Sequence, residues 1–141
     1  LFYLTKKMNL QDHVFINPAI PEQELIPKFQ QSHVLVSTSA GEGLANVVVE
    51  AMACGAVPVV WDCEGMTEAI EDQNSGFVIP FGDVSLMADA IEMLDANRMK
   101  CQEISANAVD RIKTHFDESV HSKKMMEWYQ RILEEKQRTK S

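Results

Sequence analysis

The chain has 141 residues, 45% of them hydrophobic, enough for one domain with its own core and too many for a disordered segment. Thirteen basic against twenty-one acidic residues leave a net charge of −8, which argues against nucleic-acid binding, a task that needs clustered Lys and Arg. No run approaches the ~20 apolar residues of a membrane span, and no signal peptide is visible.

Four scattered histidines (His13, His33, His115, His121) have no metal-ligand spacing, so no metal site is expected. Cys54, Cys63 and Cys101 form no C-x-x-C pair and leave an odd count, which suits free thiols in a reducing cytosol. Cys54 reads as a small packing residue. The dense basic stretches Lys6-Lys7, Lys123-Lys124 and Lys136 to Lys140 read as solvated faces.

In chain order, Leu1 is not an initiator methionine, and Leu1 to Leu10 reads as the last turns of a helix already under way. Val14-Phe15-Ile16 is a short strand candidate, followed by a loop over Asn17 to Pro21. Pro21, Glu22 and Glu24 make a helix start, because proline fits the first turn and acids suit the dipole. Pro27 is expected to limit or kink that helix. A second strand is expected over His33 to Thr38, a third over Val57 to Trp61 and a fourth over Gly76 to Pro80. Gly65 can cap a short helix that holds Glu68 at its third position.

Strands alternating with helices predict parallel pairing in an α/β sheet, buried on both faces because the strands are continuous apolar runs. From residue 83 the pattern is helical only. Asp83 caps a helix over Val84 to Leu94. Asn97 or Asp95 opens a second, with Ile104, Ala108, Ile112 and Phe116 in register. Asp117 caps a third, whose stripe of Val120, Met125, Trp128 and Ile132, with Tyr129, reads as core packing.

The stretch from Ser37 to Gly55 is the most informative. After the apolar strand comes Gly41-Glu42-Gly43, and then eleven residues, Leu44 to Cys54, apolar except at Asn46 and Glu50. The first turn of a helix after such a turn offers unpaired N–H groups and the positive end of the dipole to an anion. Gly43 lets a phosphate approach the backbone closely. Glu50 lies six residues beyond Leu44, roughly 9 Å along the axis, an offset that suits a carboxylate holding the hydroxyls of an attached ribose. The other reading of Glu50 is a buried structural acceptor, since a lone acid in an apolar helix is costly without a partner. The residues alone leave both open, and Asn46 stands where a dinucleotide fingerprint needs its third glycine.

Glu42 and Glu50, separated by seven residues and followed by Ala-Met-Ala-Cys-Gly-Ala-Val-Pro-Val-Val, resemble the signature of retaining glycosyltransferases of the GT-B fold, and within them the group 1 family. The likeness continues through Glu68, through Ser75 to Pro80 and Gly82-Asp83, and into the helical tail. It implies a Rossmann-like parallel sheet flanked by helices over 1–82 and a helical tail over 83–141, together a C-terminal donor-binding half. It also implies that an N-terminal acceptor domain, and the first strands of this domain with a phosphate-binding Arg and Lys, precede this chain. The 141 residues alone are then expected to be inactive.

The donor implied by the resemblance is a nucleotide-diphosphate sugar, with no cofactor and no metal. Glu42 would lie at the catalytic centre near the donor sugar and its phosphates, though not as a nucleophile. Glu50 would hold the ribose, and Ser39, Gly41, Gly43, Leu44, Ala45 and Asn46 the phosphates and sugar. Asn17 belongs to a first loop assigned to the base, and Asp62 to Gly65 to a third loop lining the cleft. Ligands of α/β sheets sit beyond the carboxyl ends of strands, which agrees with these loops.

Two residues depart from the family pattern: Thr38 stands where proline is common, and Glu64 replaces the first of two glycines. The acceptor implied is a carbohydrate or a lipid-linked molecule. The resemblance places the full-length enzyme in the cytoplasm and allows a peripheral association with the inner face of the membrane. The alternatives are a non-catalytic nucleotide-sugar-binding domain and a nucleotide-sugar epimerase of the same fold, the latter disfavoured by the spaced Glu pair.

Overall fold

The computed structural model describes residues 1–41, 46–65 and 67–117, with 119, 122, 125, 126 and 129–131 beyond them, and only the backbone of Glu22. Three parallel strands, β1 (Val34–Ser37), β2 (Val57–Trp61) and β3 (Phe77–Ile79), form one sheet in the order β1-β2-β3. Val34 pairs with Val57, Ser37 with Val60, and Trp61 with Ile79.

Side chains alternate across the pleat, so the sheet is covered on both faces. Leu35, Val60 and Val78 pack with Val48 and Met52 of α3 (Asn46–Ala53). Val34, Val57, Val59, Phe77 and Ile79 face Met87, Ala90 and Leu94 of α4 (Val84–Ala96). The helix α5 (Arg98–His115) serves both layers, with Cys101 and Ile104 in the second and Ala108 and Ile112 in the first. Ile104, Ala108 and Ile112 therefore stand in the register expected of them, with Phe116 half-buried behind.

Helix ends follow their caps. Asp83 accepts from the Leu86 amide at 3.0 Å and opens α4, which runs two residues past Leu94. Asn97 accepts from the Lys100 amide and opens α5, while Asp95 pairs with Arg98 on the surface. The α3 helix closes in a Schellman arrangement, Ala56 N–H to Ala51 O and Gly55 N–H to Met52 O, with Gly55 at φ +89. Ser105 of α5 donates to the Gly55 carbonyl at 2.6 Å, which anchors this turn at the N-terminal end of β2.

Several expectations are corrected. The sheet has three strands among the described residues, because Val14-Phe15-Ile16 runs irregularly with Phe15 77% exposed; an apolar triplet without a ladder partner is not a strand. The first helix, α1, is only Phe2–Lys7, with no buried residue, and the chain turns at Asn9 in the left-handed region. The second helix, α2 (Glu22–Gln31), continues through Pro27, so the proline does not end it. Residues 67–69 bend rather than form a helix after Gly65, and Met66 lies outside the described residues. In the tail, Asp117 accepts from the Ser119 amide and the described residues to 131 are helical, but Met125 and Tyr129 are exposed. Val120, Trp128 and Ile132 lie outside the described residues. No described helix is long and apolar enough to cross a membrane.

Candidate functional site

The parallel sheet sends the ends of β1 and β2 to one edge, where Ser37 leads into residues 38–41 and Trp61 into Asp62–Gly65. These are two of the three loops expected to meet a ligand. The remaining one, the first loop from Asn17, follows no strand; Asn17 is exposed, and no described hydrogen bond ties it to the other candidate residues. Glu42, Gly43, Leu44 and Ala45 lie outside the described residues.

From β1 the chain enters α3, whose first described residue is Asn46. Val48, Ala51 and Met52 turn into the core at helical spacing, which overrides the β preference of Val47-Val48-Val49. The opposite stripe, Asn46, Val47, Glu50 and Ala53, is exposed. Asn46 and Glu50 are one turn apart on that stripe, about 6 Å along the axis. The buried-acceptor reading of Glu50 fails: its side chain is solvent-facing and makes no hydrogen bond or ion pair within the described structure. The desolvation cost that reading invoked does not arise, and both carboxylate oxygens are open to a ligand.

The loops after β1 and β2 are joined directly. The Cys63 thiol lies 3.3 Å from the Ser39 carbonyl oxygen. A carbonyl only accepts, so the thiol donates. Sequence reasoning missed this bond, although Cys63 sits inside the loop it had marked. Gly41 is exposed, and a Cβ there would meet nothing within 4 Å. Glu64 is exposed, so the carboxylate that departs from the family pattern points to solvent.

At the same edge Asp62 donates its amide to the Ile79 carbonyl at 2.6 Å, and Trp61 stacks at a tilt on Phe81 with ring centroids 4.9 Å apart. The Trp61 Nε1 is buried with no acceptor in the described structure. A cavity of about 490 Å³ lies elsewhere, at the opposite edge, between the start of β1 at His33 and Val34 and the Asp95–Arg98 turn. Among the described residues no group of three or more His, Cys, Asp and Glu side chains is arranged to hold a metal ion.

An open, doubly covered parallel sheet with its candidate loops beyond the carboxyl ends of β1 and β2 defines a Rossmann-like α/β domain, the kind of sheet in which ligands sit beyond those ends. The "Glycosyl transferases group 1" family matches residues 1–111, and the chain belongs to that family. The N-acetyl-alpha-D-glucosaminyl L-malate synthase of Bacillus anthracis is 28% identical over 134 residues, 94% of this chain and 33% of that protein. The chain spans between a fifth and a third (21% to 33%) of the length of the curated relatives it matches.

Among solved structures, sucrose-phosphate synthase from Thermosynechococcus elongatus superposes with a TM-score of 0.83 at 23% identity, over 94% of this chain and 33% of that one. A variant of S. aureus TarM, solved with Fondaparinux, alpha-GlcNAc-glycerol and UDP, gives a TM-score of 0.79 at 26% identity, over 88% of this chain and 25% of that one. The fold is that of GT-B glycosyltransferases.

Proposed function

We propose that this chain is the donor-binding half of a retaining glycosyltransferase, holding a nucleotide-diphosphate sugar at the N-terminal end of α3. The observation that carries the reading is the exposed Asn46–Glu50 stripe immediately behind the β1 edge, in a member of the group 1 family. A carboxylate that is solvent-facing and unpaired is ready to accept two ribose hydroxyls in charge-assisted bonds. The amides of Gly43, Leu44, Ala45 and Asn46 would meet the diphosphate, Ser39 and Gly41 the donor's phosphate and sugar side, and Asn17 the base. Glu42 would stand beside the donor sugar. The UDP in the TarM structure, at 26% identity, supports a nucleotide diphosphate as the donor's leaving group.

In the proposed reaction the bond from the sugar's anomeric carbon to the diphosphate oxygen breaks. The acceptor hydroxyl oxygen bonds to that carbon on the same face, its proton passes to the departing diphosphate oxygen, and the nucleoside diphosphate leaves. The negative charge that develops on the leaving group is met by fixed N–H dipoles of the helix end. The acceptor, a carbohydrate or lipid-linked hydroxyl, would be bound by an N-terminal domain outside this chain. The full-length protein is assigned to the cytoplasm, at the inner membrane face where the acceptor is lipid-linked.

Incubation of the full-length protein with a panel of nucleotide sugars and acceptors tests the reading, with the anomeric configuration of the product read by NMR. Turnover with retained configuration supports it. Inverted configuration overturns the retaining assignment, and tight donor binding without turnover favours a non-catalytic binding domain.

A further inference from the structure

We propose that Cys63 is a positioning residue for donor binding, acting through its thiol hydrogen bond to the Ser39 carbonyl. This inference rests on the donor-site reading above. The two residues lie 24 positions apart in sequence and belong to the loops that leave β1 and β2. The thiol is half-buried and packs against the core cluster that includes Val48, Met52 and Val60. The core thus fixes the sulfur, and the sulfur fixes the Ser39 carbonyl.

The chain has no cis peptide among its described residues, and in a trans peptide the N–H points opposite to the C=O. Turning the Ser39 carbonyl toward Cys63 therefore turns the Ala40 N–H away from the Asp62–Gly65 loop. That sets the peptide plane from which residues 40 and 41 run toward α3. No other described side chain bonds to the backbone of residues 38–41. The thiol therefore sets the orientation of the Ser39–Ala40 peptide, at the exit of β1, without touching the donor itself.

The test is calorimetric titration of the full-length protein with UDP, GDP and ADP, alongside thermal melts of Cys63→Ala and Cys63→Ser. The diphosphate that the wild type binds is the probe. Cys63→Ala should weaken it about three- to fivefold, the effect of one weak hydrogen bond, with little change in Tm. Cys63→Ser, whose hydroxyl donates to the same carbonyl, should bring affinity back to within about twofold of wild type. Wild-type affinity in Cys63→Ala overturns the inference and leaves the donor-site reading standing. A loss in both variants together with lowered Tm overturns it in favour of packing. A wild type that binds none of the three diphosphates overturns the donor-site reading and this inference with it.

Discussion

Arg111 of α5 donates from Nε to the Ala69 carbonyl at 2.7 Å, joining the longest fully described helix to the irregular segment after the third candidate loop. Its Nη2 reaches the Glu68 carbonyl at 3.1 Å, and Nη1 lies 3.7 Å from Glu71 Oε2. Asn107, one turn earlier on α5, donates to the backbone and side-chain oxygens of Asn74. A segment without ladder or helix bonds needs such partners for its carbonyls, and α5 supplies them. Glu68, where the family likeness continued past the second loop, is held by its backbone while its side chain stays exposed.

With the Arg111 side chain 24% exposed, Arg111→Ala leaves two carbonyls without their charged donor and should cost about 2 kcal/mol or more. Arg111→Lys should recover less than half of that, because one ammonium cannot reproduce the guanidinium fork. Urea denaturation checks both, and an unchanged midpoint for Arg111→Ala would show that the clamp adds nothing to stability.

Gly76 marks where β3 begins against β2. A Cβ there would lie 2.5 Å from Pro58 Cγ and 2.8 Å from the Pro58 carbonyl oxygen. Pro58 is fully buried, so neither side has room to yield. Gly76→Ala should destabilise by about 1–3 kcal/mol, the range for overpacking. A melting temperature equal to wild type would mean the strands separate at no cost.

Much of this arrangement was legible in the sequence, and the exceptions have physical causes. Val57 to Trp61 reads as a buried strand because its first four residues are all apolar, the pattern of a sheet covered twice. Asp83 and Asn97 announce α4 and α5 because each side chain caps an amide three residues on. Val14 to Ile16 misleads because strand formation needs a partner that local composition does not reveal. Glu50 misleads differently: its neighbours on the exposed stripe, Val47 and Ala53, are apolar, so the helix looks buried all round. The Cys63–Ser39 and Arg111–Ala69 bonds span 24 and 42 positions, and no periodicity relates such residues.

A third prediction concerns metal. A helix end can hold a diphosphate through its amides alone, and no described cluster of His, Cys and carboxylate side chains is spaced to add a cation. Nucleotide diphosphate binding by the full-length protein should be unchanged by EDTA. Binding lost on chelation and restored by Mg²⁺ or Mn²⁺ would contradict this.

Glu50 tests the central claim most directly. Its exposure and lack of a partner separate binding from stability, since nothing in the described fold depends on the carboxylate. Charge-assisted bonds to two ribose hydroxyls are worth about 1.5–3 kcal/mol each. In the full-length protein Glu50→Gln should therefore weaken nucleotide diphosphate binding roughly tenfold or more, at ~1.4 kcal/mol per decade, with Tm unchanged. Titration calorimetry and a thermal melt on the same variant decide the matter: a tenfold loss at constant Tm is the predicted result, and wild-type affinity would contradict the donor site at α3.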